Sequence, residues 1–420
     1  MRVRMFAPGL LCIIASRLSA QDTADLLNRI KAMEARIQAL ESEVQNLKSQ
    51  PGAAPPAAIL QAPTPVVLGG AGPAAAKALN PDISVIGDFI GAAGYGANRK
   101  VPSLEMHESE VGFQEVIDPY ARADFFISFG ERGVNLEEGF LTFTALPAGL
   151  QLKVGKMRAA FGKLNTLHNH VLPWADRPLV NQNLIGGEDG INDAGFSLSR
   201  ILPAPKGIFL EGLAQLYRGD SENVFRADKR SDVSAVGHLH LYHDFSESTN
   251  FDTGVSYARG HSPFGDGTNQ LYGGDFTLRW KPLRRAIYHS FVARSELVWA
   301  RTTVTLLTPP FPRAIIKPFG YYVSGDYQFG RRWFLGGRFD RSRRGACLPT
   351  NPETTPCDLP IPSTRLLQDA GGSLLLTYWP SEFSQIRSQL RRTRYGEGLT
   401  ANELIFQFIF SMGAHGAHPF

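Results

Sequence analysis

The stretch Tyr272-Gly-Gly-Asp-Phe-Thr-Leu-Arg-Trp-Lys281 decides the fold class. Tyr272, Phe276, Leu278 and Trp280 alternate in it with Asp275, Thr277, Arg279 and Lys281. Successive side chains of an extended strand point to opposite faces, so this is a strand with one apolar face and one charged face. The pattern recurs on both sides. Upstream, Ala121, Ala123, Phe125, Ile127 and Phe129 share one face, against Arg122, Asp124 and Ser128. Downstream, His289, Phe291, Ala293, Leu297 and Trp299 alternate with Ser290, Arg294 and Glu296, and Trp333, Leu335 and Phe339 oppose Arg338 and Asp340. The last such segment carries Leu404, Phe406, Phe408, Phe410 and Met412 on one side, and the chain ends at Phe420.

Sixteen segments of this kind can be counted beyond Pro81. Short connections (Asp118-Pro119, Leu146-Pro-Ala-Gly149, Pro203-Ala-Pro205, Phe245-Ser-Glu-Ser248, Pro282-Leu-Arg-Arg285, Gly330-Arg-Arg332, Pro380-Ser-Glu382) alternate with longer ones. The longer ones fall around 92–104, 130–135, 159–192, 218–232, 260–269, 303–315, 342–364 and 395–401. Aromatic residues gather near segment ends: Trp280, Trp299, Trp333, Tyr378 and Trp379. A soluble sandwich would have to cover its second face with another layer, and that face is rich in Arg, Asp and Glu. The expected fold is therefore all-β, a transmembrane antiparallel β-barrel of about 16 strands with two aromatic girdles. An even strand number puts both barrel ends on the short-turn side, which is periplasmic in a bacterial outer membrane.

Residues 1–80 obey different rules. Arg2 and Arg4 precede a mostly apolar run that closes on Leu18-Ser19-Ala20, which is the form of a secretory signal peptide over 1–20. Residues 21–50 contain a heptad pattern, with Ile30, Ile37 and Val44 at a and Leu26, Met33, Leu40 and Leu47 at d. Arg29 with Glu34, Arg36 with Glu41, and Glu43 with Lys48 are opposite charges at g and e, which favours a parallel homo-oligomeric coiled-coil helix. Ile at a with Leu at d is the dimer pattern. Arg29-Ile-Lys-Ala-Met-Glu34 and Arg36-Ile-Gln-Ala-Leu-Glu41 instead resemble the short signature of trimeric coils, and a homotrimer is the preferred expectation. Residues 51–80 are mostly Pro, Ala and Gly and read as an extended linker. The barrel domain is then 81–420, with the coil as a periplasmic stalk.

Composition agrees with export to a membrane. The 420 residues carry a formal charge of +4, but Arg2, Arg4 and Arg17 belong to the leader. The remainder has 40 basic against 39 acidic residues, which gives no footing for nucleic-acid binding. Outside the N-terminus no apolar run is long enough for a membrane-spanning helix.

The segment Lys153-Val-Gly-Lys-Met-Arg-Ala-Ala-Phe-Gly-Lys163, followed by Leu164-Asn-Thr-Leu-His-Asn-His170 and Pro173-Trp-Ala-Asp-Arg-Pro178, resembles the phosphate-selective porin O/P family of outer-membrane channels. The resemblance implies a trimeric sixteen-stranded barrel whose third loop, here 159–192, folds into the pore and narrows it. Lys163, His168, His170, Trp174, Asp176 and Arg177 would lie on that constriction loop. Phe420 resembles the terminal aromatic read by the barrel assembly machinery.

With the apolar faces toward outer-membrane lipid, the pore wall includes Arg122, Lys153, Arg279, Arg294, Arg338, Arg387 and Arg391. Asp124, Asp275, Glu296 and Asp340 share that wall. The modest basic excess leans toward anions such as phosphate, unless the charges pair and only stiffen the wall. His168, His170, His238 and His240 form two His-x-His pairs; these fit a hydrated polar surface and also keep open a metal-linked (zinc) receptor. Cys347 and Cys357 bracket an external loop and are expected to form a disulfide in an exported protein. No Gly-rich phosphate loop, His-Glu-x-x-His, nucleophile elbow or Cys-x-x-Cys occurs, so neither catalysis nor a cofactor is assigned. The functional expectation is a passive porin in the outer membrane of a Gram-negative bacterium. The competing expectations are the metal-linked receptor and a tether to the cell wall acting through the stalk.

Overall fold

The computed structural model describes residues 81–95, 102–131, 133–221, 223–306, 310–345, 347–348, 359–360 and 363–413, together with Lys31, Ala35, Gln38 and Ser42. The expected leader, the expected linker, Cys357 and Phe420 lie outside the described residues. Within residues 1–70, which form a unit of their own, Lys31, Ala35, Gln38 and Ser42 are helical and exposed. They are b and f positions of the heptad, away from its a/d seam.

The second unit is a closed antiparallel sheet. Its first half comprises β1 (Asp82–Tyr95), β2 (Glu105–Asp118), β3 (Ala121–Gly130), β4 (Gly133–Leu146), β5 (Leu150–Arg158), β6 (Asn192–Ile201), β7 (Ile208–Tyr217) and β8 (Ser234–Ser246). Next come β9 (Thr249–His261), β10 (Thr268–Trp280), β11 (Ser290–Thr305), β12 (Arg313–Ile316), β13 (Phe319–Gly330) and β14 (Trp333–Gly345). A small outlying hairpin, β15 (Cys347–Leu348) with β16 (Leu359–Pro360), precedes β17 (Leu366–Ser381), β18 (Ser384–Arg394) and β19 (Thr400–Gly413). β12 and β13 are one strand interrupted at Lys317-Pro318. Both pair with β11, at Thr302↔Ile316 and Trp299↔Phe319, and Pro318 has no N–H to give the ladder. The barrel therefore has sixteen strands, each paired with its sequence neighbours, and β1 closes on β19 through Phe89↔Phe408.

The distribution of side chains is inverted relative to a soluble protein. On the outward face Phe125, Phe276, Trp299, Leu335, Phe339, Leu374 and Phe406 are exposed. On the inward face Asp124, Asp275, Thr277, Glu296, Arg338, Asp340 and Gln407 are buried. The alternation read from sequence holds in each of these strands. Aromatic side chains form two outward bands. Towards the long loops, Tyr257 contacts Tyr272, and Trp299 stacks on Phe319. Towards the short turns, Phe245 stacks on Phe251 and Trp333 on Tyr378. Tyr272 and Trp280 mark the two bands on β10. The step between them is about 27 Å of strand, or roughly 20 Å along the axis at a tilt near 40°, against an apolar band of about 25 Å in membrane barrels.

Two connections differ from expectation. The segment expected as a long loop at 130–135 is instead mostly strand, because Gly130 and Gly133 are already ladder partners. The turn expected at Pro282–Arg285 extends over residues 281–289. Arg285, with φ 66°, offers its carbonyl to the N–H groups of Tyr288 and His289 and so delays the next strand.

Candidate functional site

The lumen is occupied by the segment joining β5 to β6, residues 159–191. Arg158 and Asn192 are ladder partners, so this loop leaves and re-enters the wall at one point. Its neck is closed by the N–H of Ala159 donating to the Ile191 carbonyl at 2.8 Å. Asn165, buried at the neck, completes the closure. Its Nδ2 donates to the carbonyls of Ala159 (2.8 Å) and Ile191 (3.0 Å), and its Oδ1 accepts from the Ile191 N–H at 2.9 Å. Gly190 is required here. It has φ +65°, and a Cβ on it would lie 2.1 Å from Asn165 Oδ1. Gly190→Ala is expected to cost about 2 kcal/mol from left-handed strain and the lost clasp, read as a lower temperature of conversion from folded to unfolded band in detergent gels.

From the neck the loop reaches strands on opposite sides of the barrel. On β11, Glu296 Oε1 accepts from the N–H groups of Lys163 and Leu164, both at 2.7 Å. On β9, Lys163 Nζ meets Asp252 Oδ2 at 2.5 Å, and Ser256 Oγ accepts from the Gly162 N–H at 2.9 Å. Burial lowers the Lys163 ammonium, and the bond to Asp252 opposes that. Five residues on, His168 crosses to the far wall. Its Nδ1 lies 2.6 Å from Glu110 Oε2 on β2, and its Nε2 lies 2.7 Å from Glu138 Oε2 on β4. Burial by itself would lower this imidazole, but hydrogen bonds to Glu110, Glu137 and Glu138 raise it well above its usual range.

Asp176 is the third anchor. It receives Arg338 Nη2 from β14 at 3.0 and 2.9 Å, Arg391 Nη1 from β18 at 2.8 Å, and Gln389 Nε2 at 2.5 Å. Burial would raise this carboxyl; Arg338 and Arg391 instead hold it at about 2. Trp174 is wholly buried, edge-on to Tyr322, with the Arg338 guanidinium 4.9 Å from its ring centroid. Arg177 stays within the loop, donating to the carbonyls of Leu164 (3.0 Å) and Leu167 (2.6 Å) and to Asn169 Oδ1 (2.9 Å); burial pulls it down to about 9. Behind these anchors lies an apolar seam. Phe161, Leu164, Trp174 and Ile185 of the loop pack against Val236, Leu271, Val298 and Tyr322 of the wall.

All six expected constriction-loop residues thus lie on the inward loop: Lys163, His168 and Asp176 hold it to the wall, Trp174 is its wedge, and Arg177 braces its interior. The expected basic wall is different in kind. Arg122 pairs with Asp124, Arg279 with Asp252, Arg294 with Asp326, Arg338 with Asp176 and Asp340, and Arg391 with Asp176 and Glu403. Lys153 lies 4.6 Å from the Phe140 ring centroid, and Arg387 donates to Gln407. Five of the seven basic positions are matched by a carboxylate, so they contribute more stiffness than field. His238 and His240 face inward, on Ser256 Oγ and Asp252 Oδ1, both at 2.8 Å.

A buried acidic wall on β2 and β4 escaped the sequence reading. Strict alternation would turn only one of Glu137 and Glu138 inward. The register slips between Phe126/Ile127, leaving Glu137 as an extra residue, and both carboxylates end up buried. A second slip, between Asp88/Phe89, brings His107 beside Asp88 at 3.6 Å. Glu108-Ser-Glu110 was the signal available, two carboxylates at strand spacing.

No family model matches the chain. An uncharacterized protein of Aquifex aeolicus (strain VF5) is 29% identical over 407 residues, covering 83% of this chain and 81% of its own. Among solved structures, the anion-selective porin from Comamonas acidovorans superposes with a TM-score of 0.52 at 9% identity, over 79% of this chain and 99% of that one. Pseudomonas putida OprB gives 0.52 at 9% identity over 79% and 94%. The outer membrane channel DcaP of Acinetobacter baumannii gives 0.50 at 11% identity over 79% and 96%. At these identities the likeness is one of fold: the chain has the barrel of outer-membrane porins.

Proposed function

We propose that this protein is a porin of the outer membrane, passing small hydrophilic solutes by diffusion through the space left beside the inward loop 159–191. The observation that carries the reading is the inverted barrel, apolar and aromatic outside and charged inside, with its lumen crossed by a loop held to both walls. A lipid-facing belt has no use in water, and a polar lumen has no use without a solute. Assembly as a homotrimer through the stalk, and insertion directed by Phe420, extend the reading and rest on the sequence pattern. The test is conductance in a planar bilayer. Stepwise openings that persist without any energy source are expected; a silent membrane from folded protein would refute the reading.

Selectivity follows from the pairing of charges. A paired arginine presents little net field to a passing ion, so any lean toward anions such as phosphate rests on Lys153 and Arg387. These two have no carboxylate within ion-pair distance among the described residues. Replacing both by Gln is expected to lower the anion-to-cation permeability ratio roughly twofold, measured as a reversal potential under a salt gradient. The same change at Arg279 or Arg338 should act on stability first.

A further inference from the structure

The β2–β4 side of the inward loop carries a cluster of ionisable groups. Glu108, Glu110, Glu137, Glu138, His168 and His170 are all buried. Arg158 pairs with Glu137 at 3.0 Å, and His168 answers Glu110 and Glu138. Four carboxylates thus face one guanidinium, one engaged imidazole and His170, whose Nδ1 is 3.8 Å from Glu110 Oε2. Glu108 is only 7% exposed; its carboxyl shares a hydrogen bond with Glu137, and its Oε1 has no partner of its own. An unsatisfied carboxylate oxygen in such a place carries a desolvation cost that a cation would remove.

We propose that Glu108, Glu110 and His170 bind one divalent first-row metal ion, zinc being the probe of choice, between the barrel wall and the inward loop. One ligand atom from each lies within 4.8 Å of the other two. A tetrahedral zinc with its donors at about 2.05 Å separates them by about 3.4 Å, so the three side chains need close by no more than about 1.4 Å. Imidazole with carboxylates is a donor set that suits zinc and its neighbours in the series. A second grouping, Glu110 with Glu137 and His168, satisfies the same distance limit. In it His168 Nδ1 already lies against Glu110 and Glu137, at 2.6 and 3.1 Å, whereas no His nitrogen lies within ion-pair distance of Glu108 among the described residues and its Oε1 accepts no hydrogen bond. The ion would tie loop residue His170 to β2. The proposal holds whether or not solute passes the barrel.

The experiment is a zinc titration by calorimetry of the full, untagged protein in detergent, with metal content measured after dialysis. One zinc per chain is expected. Glu108→Gln and His170→Ala should each weaken binding by at least ~10-fold, while the double change His238→Ala with His240→Ala should leave it intact. The folded band in detergent gels checks that each variant forms the barrel. The X-ray absorption spectrum of the wild-type zinc form supplies a readout that needs no variant, with histidine scattering expected. Absence of zinc binding by the wild type at micromolar concentrations would overturn the site. So would unchanged affinity in both folded variants, or an all-oxygen coordination sphere.

Discussion

Excising residues 159–191 and joining Arg158 to Asn192 through Asn-Gly is expected to leave a folded barrel with a much larger channel. The two ends are ladder partners, so a two-residue turn can close the hairpin without moving either strand. The barrel wall does not depend on the loop for its backbone pairing, because β5 and β6 pair along their full length without it. Single-channel conductance should rise on the order of two- to threefold as the cross-section approaches that of an open sixteen-strand barrel. Stability should fall at the same time. Val236, Leu271, Val298 and Tyr322, now covered by Phe161, Leu164, Trp174 and Ile185, would face water. A conductance equal to wild type in the folded variant would show that the loop does not set the constriction.

Asp176→Asn is expected to release the loop on its β14–β18 side and to cost about 3 kcal/mol, read from the folded-to-unfolded conversion temperature in detergent gels. Arg338 and Arg391 would stay buried, keeping Asp340 and Glu403 but losing the carboxylate they share. Asparagine preserves shape and the bond from Gln389, so the loss is mainly one of charge. The wild-type protein makes a matching prediction with pH. The folded pKa of Asp176, about 2, lies below its ordinary value of 3.8. A depressed carboxylate contributes its stability above the unfolded pKa and loses it as pH falls through the folded one. The contribution should therefore be complete above about pH 4 and fade between 4 and 2, with current fluctuations growing over the same interval. In Asp176→Asn this acid-dependent component should be absent. A wild-type curve that falls near neutral pH instead would assign the loop's hold to other groups.

How much of this could be read along the chain depends on the range of each interaction. The facing of Phe276 and Asp275, or of Phe339 and Arg338, was legible because the pleat makes it a local property of neighbouring residues. The position of the loop was legible too, through the resemblance carried by Gly155-Lys156 to Phe161-Gly162 and by Trp174 to Pro178. The bulges that turn His107 and Glu137 inward were not. A bulge is a mismatch between two strands, and neither strand contains it alone. Nor was it legible that Arg338 and Arg391 would converge on one aspartate.

By itself the sequence determined an all-β barrel domain of about sixteen strands beyond Pro81, with a charged interior and an apolar exterior. Period-two alternation, turn chemistry and connection length are all written within about ten consecutive residues. Only the closed barrel decided the partner of each charge: Glu296 holding the backbone of Lys163 and Leu164, Asp176 holding two arginines, and His168 and His170 brought against Glu110 and Glu108. These partners are separated by tens to hundreds of residues. Where loop and wall bury these groups against one another, the neighbours that closure supplies determine whether a basic residue attracts a passing anion or holds the loop in place.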